Sequence, residues 1–86
     1  MDHPTITGRQ LAAARTLAQM SQADVAEAAN VSVPTLKRME GASGAVPGMT
    51  NNVAAVVRAL EAAGIAFIDG EYAGTGGPGV RLRDPS

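Results

Sequence analysis

Between Ser21 and Gly41 the chain reads SQADVAEAANVSVPTLKRMEG, and this stretch leaves few options for the fold. Ser21 and Asp24 have the S-x-x-D spacing of a capping box, which gives a helix a defined start. Val25, Ala26 and Ala29 recur at helical spacing and supply one apolar stripe. Asn30 follows as a left-handed C-cap, because its short amide tolerates positive φ. Ser32 then caps a second helix, with Val31 before it as a hydrophobic staple against Leu36. Pro34 falls in the first turn, where a missing N–H costs nothing. Leu36 and Met39 form the buried stripe of this helix, which turns Val33, Pro34, Lys37 and Arg38 outward, and Gly41 ends it. Two short helices joined by so few residues must cross steeply.

These residues resemble the phage Cro/repressor-like helix-turn-helix family, also known as the XRE family of bacterial regulators. The resemblance rests on Gln22 at the helix start, Val25-Ala26 in its middle, Val31-Ser32 at the turn, Leu36 and Met39 in the following helix, and Glu40-Gly41 at its close. It spans roughly residues 6 to 64 and implies a helix before the motif and one after it. Val33 and Pro34 depart from it, since family members often carry Arg, Gln or Ser there. Val33 and Pro34 would then read bases by packing on a thymine methyl rather than by hydrogen bonding.

Composition agrees. A chain of 86 residues makes one domain with a small core. With 45% hydrophobic residues but only 2% aromatic, that core must be built from Ala, Val, Leu, Ile and Met, which suits closely packed short helices. There is no cysteine, so neither a disulfide nor a thiolate metal site can form, in keeping with a reducing cytoplasm. No apolar run reaches membrane-spanning length, and MDHPTITGRQ lacks a signal-peptide apolar core. The net charge of −1 requires the positive charge of a DNA binder to be concentrated on one face.

In chain order, Met1 to Ile6 reads as a loose arm, and His3 as part of it rather than as a metal ligand or catalytic base. Thr7 and Gln10 form a T-x-x-Q capping box that opens a first helix, with Leu11, Ala14, Leu17 and Ala18 as its apolar face. The resemblance pairs Arg15 with Glu40, a fork that would fix the third helix against the first. Gln22 sits at a helix N-terminus, where its amide and free backbone N–H groups suit a phosphate oxygen. The resemblance likewise implies a backbone contact for it. Ala23, Asp24, Glu27 and Ala28 make an outer face. In the third helix Arg38 is the candidate for a base contact, since guanidinium can grip guanine O6 and N7 together. Lys37 is a point charge for a phosphate, and Ser32 and Thr35 offer hydroxyls to the backbone, with a base as the alternative for Thr35.

Ala42 to Gly48 reads as a flexible loop. Thr50 caps a fourth helix whose core stripe is Val53, Val56, Val57 and Leu60. Thr50, Asn51 and Asn52 form a second candidate phosphate site, although capping alone accounts for Thr50 equally well. Arg58 and Glu61 lie on the surface, and Gly64 ends the helix. The expected fold is thus mainly α: four helices at about 8–19, 22–29, 33–40 and 51–63, with a short C-terminal β-hairpin or strand extension. The helix-turn-helix domain is assigned to 1–64 and the β tail to 65–86.

In the tail, Ile65 to Asp69 and Val80 to Arg83 read as strands around a turn-rich GEYAGTGGPG. Its GTGGPG matches G-x-G-x-x-G literally. A dinucleotide site, however, needs a helix opening straight after the loop, and residues 80–86 offer none. A lone hairpin is marginal in water, so the tail must pack on the helices or pair with a second chain. The second route assigns dimerisation to Ile65, Phe67, Ile68, Val80 and Leu82.

No catalytic or metal constellation emerges and no cofactor is expected. The expected function is a sequence-specific double-stranded-DNA-binding transcriptional regulator in the cytoplasm, a homodimer on a palindromic operator. That it represses follows from the resemblance alone. The alternative is an antitoxin-like interaction module whose tail binds a partner protein.

Overall fold

The computed structural model describes residues 6–42, 50–68 and 77–83. The proposed arm with His3, residues 43–48 of the loop, Asp69 and most of the tail's turn lie outside them. Four helices, α1 (Gly8–Leu17), α2 (Gln22–Ala29), α3 (Val33–Glu40) and α4 (Thr50–Ala62), precede two strands, β1 (Ile65–Ile68) and β2 (Gly79–Leu82).

Local chemistry sets most boundaries. Thr7 Oγ1 accepts from the Gln10 N–H at 3.1 Å while Gln10 Oε1 accepts from the Thr7 N–H at 2.9 Å, a complete capping box for α1. Ser21 and Asp24 do the same for α2, with both bonds at 3.0 Å. Asn30 closes α2 in the left-handed conformation at φ 58°, and the Val31 N–H reaches back to the Ala26 carbonyl at 2.9 Å. Ser32 Oγ accepts from the Thr35 N–H at 3.1 Å and starts α3, with Pro34 in its first turn. Gly41 ends α3 at φ −80°, so it terminates the helix without using glycine's left-handed freedom. Gly64, at φ +100°, uses it to turn α4 into β1.

Three expectations need correction. The first helix stops at Leu17 instead of continuing to Gln19. Gln19 turns left-handed at φ 60°, and the N–H groups of Gln19 and Met20 bond the carbonyls of Thr16 and Arg15 in a Schellman motif. Leu17 is 39% exposed and not part of the core face. Six residues beyond Leu11 is a third of a turn from Leu11 and about a quarter of a turn from the middle of the stripe that Leu11, Ala14 and Ala18 define. The fourth helix includes Thr50, one residue before its expected start.

A single core draws on every helix and on the tail. Leu11, Ala14, Val25, Ala26, Ala29, Leu36, Met39, Val56, Leu60 and Ile65 are buried together, with Val53, Val57, Phe67 and Val80 packed around them. Small side chains on α1 and α2 let the helices approach closely, as the near absence of aromatic residues demands.

The strands form an antiparallel pair with Ile65 opposite Leu82, Phe67 opposite Val80 and Ile68 opposite Gly79. The hairpin takes the first of its two routes, packing on the chain's own helices. Gln10, only 3% exposed, donates its side-chain amide to the carbonyls of Ile68 at 3.1 Å and Gly79 at 3.2 Å. At the other end the Arg83 N–H bonds the Gly64 carbonyl at 2.7 Å, and its guanidinium reaches the Glu61 carbonyl at the end of α4. The break at residue 64 is therefore a change of secondary structure within one core. Ile65, assigned to dimerisation, is instead fully buried in its own chain. An apolar side chain directly after Gly64 points into the space between α4 and the hairpin, where the core is waiting for it. Phe67 and Val80 pack partly on that core, Ile68 is half-buried, and Leu82 is 39% exposed.

Candidate nucleic-acid interface

The outward side of α3 follows from its buried side. Leu36 and Met39, exposed by 0% and 1%, fix the helix's rotation, and residues at 34, 37 and 38 are left on the far face. Pro34, Lys37 and Arg38 are all exposed there. Among the described residues, neither Lys37 nor Arg38 has a hydrogen-bond or ion-pair partner. Both lie in the last turn, where a cation also favours the helix dipole. Val33 is not on this face: it is half-buried and packs against the core, which limits the surface it can offer a base.

The polar groups around the turn are mutually ordered. Ser32 Oγ donates to Thr35 Oγ1 at 2.8 Å, so the Ser32 proton is engaged and the Thr35 hydroxyl proton is left for another acceptor. Ser32 is exposed and Thr35 half-buried. At the start of α4, Asn51 is exposed and Asn52 half-buried, and its first turn carries no acidic residue. At the start of α2 the situation differs, because Asp24 is there. The Ser21 backbone N–H and then the Ser21 hydroxyl hold its carboxyl below the usual carboxylate range, so it stays charged beside the same N-terminus that Gln22 occupies. Asp24 and Glu27 are both exposed on the outer side of α2.

Arg15 and Glu40 meet as a two-pronged pair. Arg15 Nε donates to Glu40 Oε2 at 2.8 Å and Nη2 to Oε1 at 3.2 Å. Arg15 Nη1 donates to the Met20 carbonyl at 3.1 Å, tying the same guanidinium to the α1–α2 turn. The side chains are 22% and 8% exposed respectively. Gln22 joins them, its Nε2 donating to Glu40 Oε1 at 3.2 Å. One carboxylate at the end of α3 thus collects donors from α1 and α2 and sets the angle at which α3 is presented.

Two residues that hold this arrangement escape notice in the sequence. Gly8 is buried against the C-terminal end of α3. A Cβ at that position would lie 2.5 Å from the Met39 carbonyl oxygen, 2.8 Å from that of Glu40 and closer still to that of Ala42. Gln10 reads locally as a cap partner only, yet it also fastens the hairpin. The one hint for Gly8 is a glycine sitting where a helix former would serve better.

Two helices crossing over a three-residue turn, with the second carrying two exposed cations, define a helix-turn-helix protein. A family model described as a helix-turn-helix domain matches residues 7–66, more than half of the chain, and the chain belongs to that family. This agrees with the Cro/repressor-like resemblance and gives DNA binding as the coarse function; domains of this family are typically not enzymes. No curated protein matches the chain. No described helix is long and apolar enough to cross a membrane, and the described residues contain no group of three potential metal ligands.

Proposed function

We propose that the protein is a sequence-specific double-stranded-DNA-binding transcriptional regulator, acting as a homodimeric repressor on a palindromic operator in the bacterial cytoplasm. The observation that carries this reading is the exposed Pro34–Lys37–Arg38 stripe on a helix braced from beneath by Leu36, Met39 and Glu40. Arg38 reads a guanine in the major groove, and Pro34, with the exposed part of Val33, packs on a neighbouring thymine methyl. Lys37, Thr35 and Gln22 hold phosphates on either side of that contact, and Ser32 contributes its backbone N–H, since its hydroxyl proton is engaged with Thr35. Thr50, Asn51 and Asn52 add a further phosphate contact from α4. With a net charge of −1, specific affinity depends on these few contacts rather than on a broad basic field.

The dimer forms through the tail. A two-stranded sheet has two edges through which a second chain can pair, and Leu82 is an exposed apolar side chain on one of its strands. Ile68, Phe67 and Val80 support the pairing from their half-buried positions, and Ile65 serves only as core. Two recognition helices related by a two-fold axis would read half-sites about 10 base pairs apart.

The test is selection of bound sequences from random DNA by the full chain, repeated with Arg38→Ala. A two-fold symmetric motif is expected. The variant should lose about 1–3 kcal/mol on the best site and lose base preference at one position of each half-site. An unchanged motif and affinity would remove Arg38 from base reading, and a motif without symmetry would remove the dimer.

A further inference from the structure

We infer that Glu40 is a positioning residue for DNA binding: it aims the Gln22 amide at a backbone phosphate before DNA arrives, while Arg15 neutralises it. The inference rests on the reading of Gln22 as a phosphate contact and adds what makes that contact work. Glu40 Oε1 accepts from Gln22 Nε2 at 3.2 Å and from Arg15 Nη2 at 3.2 Å, and Oε2 accepts from Arg15 Nε at 2.8 Å. A carboxylate only accepts, so the amide nitrogen and not the amide oxygen must face Glu40. That removes the usual ambiguity of a glutamine side chain. One N–H of the amide is spent on Glu40, and the other remains for an external acceptor. A phosphate oxygen is such an acceptor.

Without the carboxylate, Gln22 is a first-turn side chain free to rotate, and it presents its carbonyl oxygen to phosphate as readily as its N–H. The first orientation repels and the second attracts, and ordering the side chain on binding then has a conformational cost. Glu40 alone would make matters worse, because a bare carboxylate near a phosphate repels it. The Arg15 fork cancels that charge, and its third bond, to the Met20 carbonyl, keeps the guanidinium on the protein side. The trio Arg15–Glu40–Gln22 is therefore a neutral bracket that leaves one directed N–H at the start of α2. Asp24, charged and exposed on the same helix turn, sharpens the need for it, since the α2 dipole is partly offset there.

A double-mutant cycle on DNA affinity tests this, using full-length protein, short duplexes of operator and unrelated sequence, and a thermal melt of every variant. Gln22→Ala should weaken all sequences alike, about three- to tenfold, as expected for one hydrogen bond. The swap Arg15→Met with Glu40→Met keeps the net charge and replaces an ion pair by apolar volume, a change that folded proteins often accept. It should give the same uniform loss, with an unchanged slope of log affinity against log salt, because no cation facing phosphate is removed. The triple variant should bind no worse than Gln22→Ala. Penalties that multiply, or a swap that binds as well as the parent, would overturn the positioning role while leaving the Gln22 contact standing. A Gln22→Ala variant with full affinity would remove the contact itself. Should the swap fail to fold, the unmodified protein still decides the matter by NMR. The two Gln22 side-chain amide protons should show fixed, non-random-coil shifts before DNA is added, and random-coil values would overturn the inference.

Discussion

The two ends of α1 both grip the end of α3, by opposite means. At the N-terminal end a glycine, with no side chain at all, lets the backbone sit against the carbonyls of Met39, Glu40 and Ala42. Beside it a buried neutral amide, Gln10, fastens the hairpin. At the C-terminal end a partly exposed guanidinium reaches across to Glu40, and a left-handed glutamine turns the chain toward α2. Long charged side chains can swing, rehydrate or exchange partners, whereas backbone against backbone cannot yield without moving a helix. The N-terminal end should accordingly be the brittle one.

Gly8→Ala is the most severe way to break that contrast. The new methyl would collide with three backbone oxygens, none of which belongs to a flexible side chain. Its helix propensity is better than glycine's by about 1 kcal/mol, which on an open helix would stabilise. Overpacking opposes this with about 1–3 kcal/mol, and more where backbone must shift. We expect a net loss of about 2 kcal/mol, read as a fall in Tm of roughly 10 °C. A Tm equal to or above that of the parent would show that α1 and α3 can slide apart freely, and the distinction between the two ends would vanish.

Gln10→Leu tests the same end more gently. It keeps the volume and apolar contact but leaves the Thr7 N–H and the carbonyls of Ile68 and Gly79 without their partner. An unsatisfied buried backbone group costs about 1–3 kcal/mol, although here water can reach part of the lost set. The loss should be local. Amide hydrogen exchange should rise across residues 65–68 and 79–82 and leave α2 and α3 protected. Uniform acceleration over the whole chain would instead mean that the hairpin and the helices open as one unit.

The same division separates what could be read from the sequence and what could not. The caps at Thr7, Ser21, Ser32 and Gly64, the left-handed Asn30 and the outward stripe of α3 each need only three to seven residues of context. The patterns of capping and of the 3.6-residue period supply that context. Gly8, the second role of Gln10 and the burial of Ile65 depend on partners brought together by the fold, from Gly8 against Met39 to Gln10 against Gly79. No local pattern encodes those contacts. The candidate interface divides likewise. Lys37 and Arg38 follow from periodicity, while the tie between Gln22 and Glu40 exists only because α2 and α3 cross where they do. Val33 shows how the periodic reading errs, since a residue at the first position of a short helix lies close enough to the core to pack on it.

The smallest effect belongs to the other end of α1, and its sign is the informative part. Gln19 holds φ 60° within the Schellman motif, a position that glycine occupies in most helices ending this way. Left-handed backbone costs a residue with a Cβ about 1–2 kcal/mol, so Gln19→Gly relieves strain in the folded state. Glycine also widens the unfolded ensemble, which opposes the gain by about 0.4–1 kcal/mol. The net should be a stabilisation of a few tenths to 1 kcal/mol, seen as a rise in the urea midpoint at constant slope. The exposed Gln19 side chain makes no hydrogen bond among the described residues that the change would remove. A fall in the midpoint would mean that the α1–α2 turn draws stability from that side chain. The C-terminal end would then be as intolerant of change as Gly8, and the asymmetry between the two ends of α1 would have to be given up.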